Sequence, residues 1–381
     1  MKTIYFDYNA ATPLDPAVRE VMLPFLGEFF GNPSSVHHVG RQARALLDDA
    51  RDRVAAVWRA KPSEVVFTSG GTESNNLAIL GVARMLRDKG RHVITSSIEH
   101  DAVLDCCQYL AKKEGFDVTY LPVDAEGFVS PDDLKKAIRS DTTLVSVMSA
   151  NNETGSIQPV AALGEICRSR GVIFHTDAAQ SFGKEPFVDI HQFNADLVSF
   201  CAHKLHGPKG AGALFIKSPL LPDPIIFGGG HENERRAGTE NVASIIGLAE
   251  TMERFVKTPV FHSEKLSPLT ARLIDSVKSL EGVSFRGSLR NRLSNTVAIT
   301  VAGCDSITLL AGLDMEGVCA SSGSACSAGS LEPSHVMSAM GVEKNSANSL
   351  VRFSIGRDST LEEIQTAEAV LKNVINRVLH C

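Results

Sequence analysis

The sequence predicts an α/β protein with a mostly parallel seven-stranded sheet covered by helices, followed by a smaller α+β domain. Between Val65 and Ile216, short apolar runs rich in β-branched residues alternate with segments of helical periodicity. Several of these runs are almost continuously apolar, which is typical of parallel strands buried on both faces of a sheet. The predicted strands centre on Val66, Ile94, Thr119, Val145, Ile173, Val198 and Leu214.

Helical periodicity fills the segments around these strands and continues beyond them. One helix is predicted near residues 41–58, where apolar residues recur every three or four positions. Another is predicted from Glu240, with Thr239 able to cap it. A Lys-Thr-Pro run at residues 257–259 then interrupts the pattern, so we place the end of a large domain, residues 15–256, at this point.

The remainder of the chain has a different pattern, in which fewer strands and helices follow one another. We predict a helix opening at residues 267–268, a strand over 296–301, a helix over 305–313 and a strand over 350–355. A final helix is expected after residues 359–362, whose Ser-Thr-Leu-Glu sequence fits a capping box.

The composition is that of an ordinary soluble globular protein. Of 381 residues, 43% are hydrophobic and 22% are charged. A net charge of −6 without a dense basic run argues against nucleic acid as the main partner. No uncharged apolar run reaches membrane-spanning length, and Asp7 stands where a signal peptide needs an apolar core. We therefore expect a cytoplasmic protein that binds neither nucleic acid nor a membrane.

Neither the cysteines nor the histidines predict a metal site. Eight cysteines are scattered along the chain without a C-x-x-C pair, which also disfavours a disulfide framework. His203 and His206 are spaced like possible metal ligands, but no second cluster completes a site. We expect no bound metal.

An acid and a lysine follow two strands of the predicted sheet. Asp177 ends one strand. Lys204 follows the next strand and is flanked by polar residues and then by glycine. A carboxylate for a pyridinium nitrogen and an amine for a Schiff base are what pyridoxal phosphate requires of a protein. By themselves the two residues fit a surface ion pair better than a cofactor site, so further partners must decide.

Two more features lie at predicted strand ends. The run 68–76 joins a strand to a helix through a glycine-rich turn, where free backbone N–H groups can receive a phosphate. It is neither a Walker loop nor a dinucleotide fingerprint, and an ordinary turn remains the alternative. His100 follows another strand and would face the ligand crevice, where it could stack on a ring or move protons.

With these segments in view, the chain resembles the NifS/IscS-type cysteine desulfurases, fold-type I pyridoxal phosphate enzymes of the class V aminotransferase group. Matching segments run nearly from end to end, and the most specific, residues 321–334, is similar to the long, flexible catalytic-cysteine loop of this group. The other matching segments are residues 5–9, 31–37, 68–76, 99–100, 151–155, 177–180, 203–204, 236–241 and 351–354.

The resemblance implies a large pyridoxal phosphate-binding domain and a small domain made of residues 1–14 and 257–381. Lys204 is expected to form the Schiff base, Asp177 to pair with the pyridine nitrogen, and His100 to stack on the ring and act as acid and base. Gln180 and Asn152 are expected near the ring hydroxyl. The phosphate contacts are expected from Gly71, Thr72, His203 and, across a homodimer interface, Thr239.

The resemblance also implies how residues of the small domain bind the substrate and transfer its sulfur. Arg352, whose guanidinium can grip a carboxylate with two donors, is expected to hold the carboxylate of L-cysteine, with Asn9 assisting. Cys326 is expected to attack the substrate sulfur, so that L-alanine leaves and a persulfide remains. A sulfur-acceptor protein would then collect it for iron–sulfur cluster or other cofactor synthesis. Cys201 stands where relatives usually have a serine that contacts the phosphate, so that contact is expected to be weak.

Other functions remain compatible with the sequence. A cysteine or selenocysteine lyase, or an aminotransferase, would share the fold and the cofactor site. A sulfur-relay protein without catalysis is a further alternative, which the presence of Lys204, Asp177 and Arg352 together disfavours. Cys326 separates the first group from a desulfurase, because plain β-elimination needs no protein thiol.

Overall fold

The structure is a computed structural model that describes residues 3–323 and 333–379. Its strands are β1 (Ile4–Tyr5), β2 (Val65–Thr68), β3 (His92–Ser96), β4 (Asp117–Leu121), β5 (Thr142–Ser146), β6 (Ile173–Asp177), β7 (Leu197–Cys201), β8 (Gly212–Ile216), β9 (Val283–Arg286), β10 (Thr296–Val301), β11 (Val318–Cys319) and β12 (Val351–Ser354).

Helices surround these strands and connect them. They are α1 (Pro16–Met22), α2 (His38–Trp58), α3 (Gly71–Leu86), α4 (Asp101–Glu114), α5 (Pro131–Ala137), α6 (Val160–Ser169), α7 (His231–Glu234), α8 (Val242–Phe255), α9 (Ser263–Lys278), α10 (Ser306–Met315), α11 (His335–Ala339), α12 (Lys344–Ala347) and α13 (Leu361–Leu379). Over the ranges that the structure describes, none of them is long and apolar enough to cross a membrane.

The central sheet confirms the predicted fold class. Its seven strands lie in the order β2-β8-β7-β6-β5-β3-β4. Every neighbouring pair is parallel except the two that involve β8, which is antiparallel to β2 and β7. The carboxyl ends of β2, β3, β5, β6 and β7 therefore meet along one edge, where a ligand crevice is expected in an open α/β sheet.

Apolar side chains cover both faces of the sheet. On one face, α2 and α8 bury a cluster around the fully buried Trp58, whose ring lies 6.2–6.4 Å from those of Phe182, Phe200 and Phe215. On the other face, α3 and α4 cover a second cluster that includes Leu77 and Leu110. Burial on both faces explains why the strands read as continuous apolar runs.

A separate hydrophobic cluster holds the second part of the chain. The antiparallel sheet β9-β10-β12 packs with α9, α10 and α13, and the N-terminal Ile4, Phe6 and Tyr8 belong to the same cluster. The strand β1 also pairs in parallel with β11. This grouping supports the predicted domains, residues 15–256 against residues 1–14 and 257–381, although the boundary itself stays a prediction.

The predicted start of α9 and the predicted capping box of α13 were wrong. The helix α9 begins at Ser263 and contains Pro268, because burying Leu266 and Thr270 against the small-domain core outweighs the hydrogen bond that proline removes. The capping box of α13 is formed by Thr360 and Glu363, each accepting from the other's N–H at 3.2 Å.

Three short strands and the residue that caps α8 were not predicted from the sequence. The strands β1, β9 and β11 are only two to four residues long, so their periodicity is too brief to detect. Thr239 does not cap α8: the side chain of Asn241 accepts from Ser244 N at 3.2 Å, and the helix begins at Val242.

Replacing Asn241 with alanine is expected to lower the free energy of unfolding by about 1 kcal/mol, because the Ser244 N–H loses its side-chain acceptor. The matched control is Thr239→Ala, which removes an exposed side chain two residues earlier and is expected to cost less than about 0.5 kcal/mol. Denaturant unfolding of the cofactor-free protein, followed by circular dichroism, measures both. An equal or larger loss for Thr239→Ala would contradict the assigned cap.

Candidate active site

A cavity of about 210 Å³ opens where the carboxyl ends of the parallel strands meet the N-terminal arm and β12. A larger cavity of about 1020 Å³ lies at the opposite edge of the sheet, but none of the predicted site residues lines it. The lining of the smaller cavity consists of Asn9, Ala10, Gly71, Thr72, Asn75, His100, Asn152, Asp177, Ala179, Cys201, His203, Lys204 and Arg352.

Most of the predicted site residues therefore meet in one place, with three exceptions. Gln180 is buried beside the cavity but does not line it. Thr239 is exposed and lies outside the lining of this single chain. Cys326 lies outside the described residues.

Asp177 is held rigidly at the end of β6. Its Oδ1 accepts from the N–H of Ala179 at 2.9 Å, and its Oδ2 accepts from Nδ2 of Asn75 at 2.7 Å. Asn75 lies in the first turns of α3 and is 1% exposed, and its Oδ1 has no hydrogen-bond partner within the part of the chain that the structure describes. Asn75 was not among the predicted site residues, because the sequence of a glycine-rich motif does not indicate which distant residue its polar side chains will contact.

Lys204 lies in the wall of the cavity. It ends the short turn Ala202–Lys204 that follows β7 and is partly exposed. Its amine has no hydrogen-bond or ion-pair partner within residues 3–323 and 333–379, so it is free to react with a ligand. Cys201 ends the same strand, and burial raises the pKa of its thiol. A neutral, buried thiol is a weaker hydrogen-bond donor than the serine hydroxyl that relatives usually have.

Two histidines of the cavity are held in their neutral forms. Burial and the nearby Lys204 lower the pKa of His100, and Nδ1 of this ring accepts from the N–H of Ala102 at 3.0 Å. That contact assigns the remaining ring proton to Nε2. Burial, followed by Lys204, lowers the pKa of His203 to about 4. A neutral imidazole can donate one hydrogen bond without adding charge to the site.

Arg352 is buried and only partly engaged. It pairs through Nη2 with Oδ1 of Asp7 at 2.8 Å, and its Nη1 donates to the carbonyls of Asn152 at 3.0 Å and Gly323 at 2.9 Å. Among the residues that the structure covers, its Nε has no partner, although the side chain is 1% exposed. The guanidinium therefore keeps donors for a further anionic group.

Asn9 is bonded at every polar atom of its side chain, which argues against a direct role in binding substrate. Its Nδ2 donates to the carbonyl of Asn152 at 3.1 Å and to Oγ1 of Thr296 at 2.8 Å. Its Oδ1 accepts from Nζ of Lys184 at 2.7 Å and from Nδ2 of Asn295 at 3.0 Å. Asn9 thus joins the arm to both domains, and Lys184 is a second residue that the sequence reading missed.

A fully buried carboxyl group lies behind His100. Glu99 accepts from Ser96 Oγ and, at 2.9 Å, from the N–H of Met148, while its Oε2 has no partner among the described residues. Burial is the main reason why the pKa of Glu99 is raised to about 8. The group is therefore largely protonated near neutral pH and adds little negative charge beside Asp177.

The residues present fit pyridoxal phosphate. The amino-terminal end of α3 presents Gly71 and Thr72 with free backbone N–H groups, which suits a phosphate. Asp177 supplies a fixed carboxylate for a ring nitrogen, and the unpartnered amine of Lys204 suits an aldehyde. The unsatisfied Nε of Arg352 and Oδ1 of Asn75 are further polar atoms that a bound molecule could satisfy.

Comparison with known proteins agrees with this arrangement. The family model for aminotransferase class-V matches residues 4–366. A cysteine desulfurase IscS of Dictyoglomus turgidum is 48% identical over 99% of this chain and 95% of its own length. A solved NifS-like protein superimposes with a TM-score of 0.90 at 36% identity, covering 100% of both chains. A structure described as SspA in complex with cysteine superimposes with a TM-score of 0.81 at 38% identity, over 94% of this chain and 100% of that one.

Glu99→Gln is expected to change how stability depends on pH. The folded state raises the pKa of Glu99 from 4.5 to about 8, so the stability from this group is complete below pH 4.5 and declines as the pH rises towards 8. Glutamine cannot ionise, so the variant should lose this decline, which amounts to at most ~1.4 kcal/mol for each pH unit. Denaturant unfolding of the cofactor-free protein across this range tests it.

The control for this titration is Glu281→Gln, which changes an exposed glutamate. It should keep the wild-type pH dependence. If Glu99→Gln and the wild type show parallel pH profiles, Glu99 does not carry its proton in the folded state as its burial implies.

Proposed function

The chain belongs to the aminotransferase class-V family and is a cysteine desulfurase, and we propose that the cavity at the carboxyl edge of the sheet is its active site. The observation that carries this proposal is the convergence of Asp177, Lys204, His100 and Arg352 on one cavity. The net reaction transfers one sulfur atom: L-cysteine and a protein thiol give L-alanine and a protein persulfide, with no outside oxidant or reductant.

The enzyme uses pyridoxal phosphate. When bound, this cofactor supplies an aldehyde that takes up an amino group and a ring that withdraws electrons from the substrate Cα. Lys204 is the residue that would hold it at rest, because its amine lines the cavity and has no hydrogen-bond or ion-pair partner among the described residues. Asp177 would keep the ring nitrogen protonated, and its hydrogen bonds from Asn75 and Ala179 fix the orientation of its carboxylate.

Proton transfer at the substrate is assigned to Lys204 and His100. Both side chains line the cavity, and the contact with Ala102 leaves the Nε2–H of His100 as the proton donor of that ring. We also assign His100 to stacking on the cofactor ring, which its position in the same cavity lining as Asp177 and Lys204 supports. Histidine and lysine side chains can both accept and donate a proton, which suits general acid–base catalysis.

The phosphate is assigned to Gly71, Thr72 and His203. The neutral His203 would donate a hydrogen bond, and Cys201 would replace a stronger hydroxyl contact imperfectly. We assign a further contact to Thr239 of the partner subunit. The exposed position of Thr239 supports a homodimer, as do large apolar side chains left in solvent, among them Phe30 at 80% and Phe227 at 81% exposure.

Arg352 is assigned to the substrate carboxylate. Its Nε lacks a partner, and the ion pair with Asp7 and the two carbonyl contacts hold the guanidinium in place. A preorganised guanidinium binds a carboxylate with less loss of side-chain entropy than a mobile one. The binding role of Asn9 is indirect, since its amide holds Asn152 and the arm rather than offering free donors.

Cys326 is proposed as the sulfur acceptor of the first transfer. It follows Gly323 by three residues, and the carbonyl of Gly323 is bonded to Arg352 at 2.9 Å. This closeness in sequence to a residue that contacts Arg352 supports the assignment, as does the similarity of residues 321–334 to the catalytic-cysteine loop of the family. We further propose that a sulfur-acceptor protein in the cytoplasm receives the persulfide sulfur for iron–sulfur cluster or other sulfur cofactor synthesis.

Lys204→Ala is expected to abolish turnover and covalent cofactor attachment without unfolding the protein, because the amine of this partly exposed lysine has no hydrogen-bond or ion-pair partner within residues 3–323 and 333–379. Borohydride reduction followed by peptide mapping measures the attachment, and circular dichroism checks the fold. Lys209→Ala is the matched control, since Lys209 is exposed. A reducible linkage that survives in Lys204→Ala would move the site elsewhere.

Cys326→Ala is expected to bind L-cysteine with nearly wild-type affinity but to release no alanine at a measurable rate, because the thiol that accepts sulfur is gone. Substrate-induced absorbance changes measure binding, and alanine release measures turnover. The matched control is Cys319→Ala, which removes a different, partly exposed cysteine of the small domain and should leave the enzyme active. A Cys326→Ala enzyme with normal turnover would instead indicate a lyase or an aminotransferase.

A further inference from the structure

Lys184 is a fully buried lysine outside the cavity wall. It lies in the turn that follows β6, seven residues after Asp177, and is 1% exposed. Its Nζ donates to Oδ1 of Asn9 at 2.7 Å and to Oε1 of Gln180 at 2.5 Å, and it lies 5.2 Å from the centre of the Phe261 ring. A lysine so deeply buried is rare without a structural or chemical reason.

The two hydrogen bonds of Lys184 determine how the side-chain amides of Asn9 and Gln180 are oriented. A lysine amine only donates in its charged form, so the oxygen of each amide must face it. The Nε2 of Gln180 consequently faces away from Lys184, and it donates to the backbone carbonyl of Asn9 at 3.1 Å. Gln180 itself is 4% exposed and lies three residues after Asp177, at the border of the cavity.

The surroundings of Lys184 disfavour a full positive charge. Burial is the main cause that lowers its pKa well below the usual lysine range, and the nearby Lys204 and Arg352 lower it further. A neutral amine has two N–H donors, which match the two oxygens of Asn9 and Gln180. With both N–H groups donated to these oxygens, the neutral amine holds Gln180 in the same orientation as the charged one.

We propose that Lys184 is a positioning residue for the cofactor: it fixes the Gln180 amide so that its N–H donors face Asn9 and the ring-hydroxyl end of the site. This inference rests on the proposed function, in which Gln180 hydrogen-bonds near the ring hydroxyl. Lys184 also ties the N-terminal arm to the turn after β6, so the arm is held to the cofactor side of the cavity.

Loss of the amine affects the two acceptors unequally. Oδ1 of Asn9 would keep its bond from Asn295, whereas the contact with Lys184 is the only one described for Oε1 of Gln180 in the ranges 3–323 and 333–379. Without it, the Gln180 amide can rotate and present oxygen where it presented N–H. An oxygen would repel the ring hydroxyl oxygen in its ionised form instead of binding it.

The test uses Lys184→Met, which keeps the length of the side chain but removes the amine, and Gln180→Met. Equilibrium titration of the cofactor-free proteins with pyridoxal phosphate is expected to give an affinity about five- to tenfold weaker for each variant, which is the scale of one hydrogen bond. The absorbance maximum of the bound cofactor should shift in the same direction in both. The double variant should bind less than about twofold more weakly than Gln180→Met, because Lys184 acts through Gln180.

The control is Lys112→Met, which removes an exposed lysine that also donates to a glutamine oxygen, Oε1 of Gln108, at 3.2 Å. It should leave both affinity and spectrum unchanged. Lys184→Gln, whose amide retains an N–H donor, should recover part of the affinity and keeps the test usable if Lys184→Met does not fold. Wild-type affinity and spectrum in a folded Lys184 variant would overturn the proposal, as would multiplicative losses in the double variant. Failure of the wild-type protein to bind the cofactor would overturn the proposed function instead.

Discussion

The site depends on the buried hydrogen bonds that hold Asn9 between the two parts of the molecule. The N-terminal arm belongs to the small-domain cluster through Ile4, Phe6 and Tyr8, yet Asn9 bonds to Asn152 and Lys184 of the large domain. These contacts bring the edge of the central sheet against β10 and β12. Since buried amides are costly to leave unpaired, the saturated set around Asn9 strongly favours this single arrangement of arm, sheet edge and small domain.

Burial also determines the charge of the cavity. Basic side chains lie on several sides of the cavity, and Lys204 and Arg352 are close enough to Lys184 to lower its pKa. Partial burial lowers the pKa of His100 and His203 and full burial raises the pKa of Glu99, whereas two hydrogen bonds fix the position of the Asp177 carboxylate. A site of this kind can receive an anionic phosphate and an anionic carboxylate while it keeps one fixed carboxylate for a ring nitrogen.

Much of the fold and of the candidate site could be predicted from the sequence. Most of the seven central strands could be predicted because burial on both faces gives them nearly continuous apolar runs, whereas the edge strand β4 is partly exposed. Asp177 ends one of these strands, and Lys204 and His100 lie within four residues of the ends of two others. The element ends were less predictable: the cap of α8 is Asn241 rather than Thr239, because the path of the chain before the helix decides which polar side chain reaches the first turn. The sequence predicts that a helix begins near Pro268, whereas α9 begins earlier, because Leu266 is buried and helical as well.

The sequence by itself determined the α/β class, the strand-end positions of the chemical groups and the kinship of the chain, since these follow from local patterns and motifs. The tertiary structure alone decided which residues support those groups. The pairing of Asn75 with Asp177 spans 102 residues and that of Lys184 with Asn9 spans 175, so no local pattern could reveal either. Such contacts arise only when the chain has packed and each buried polar atom has found a partner, which is a property of the whole fold rather than of any segment.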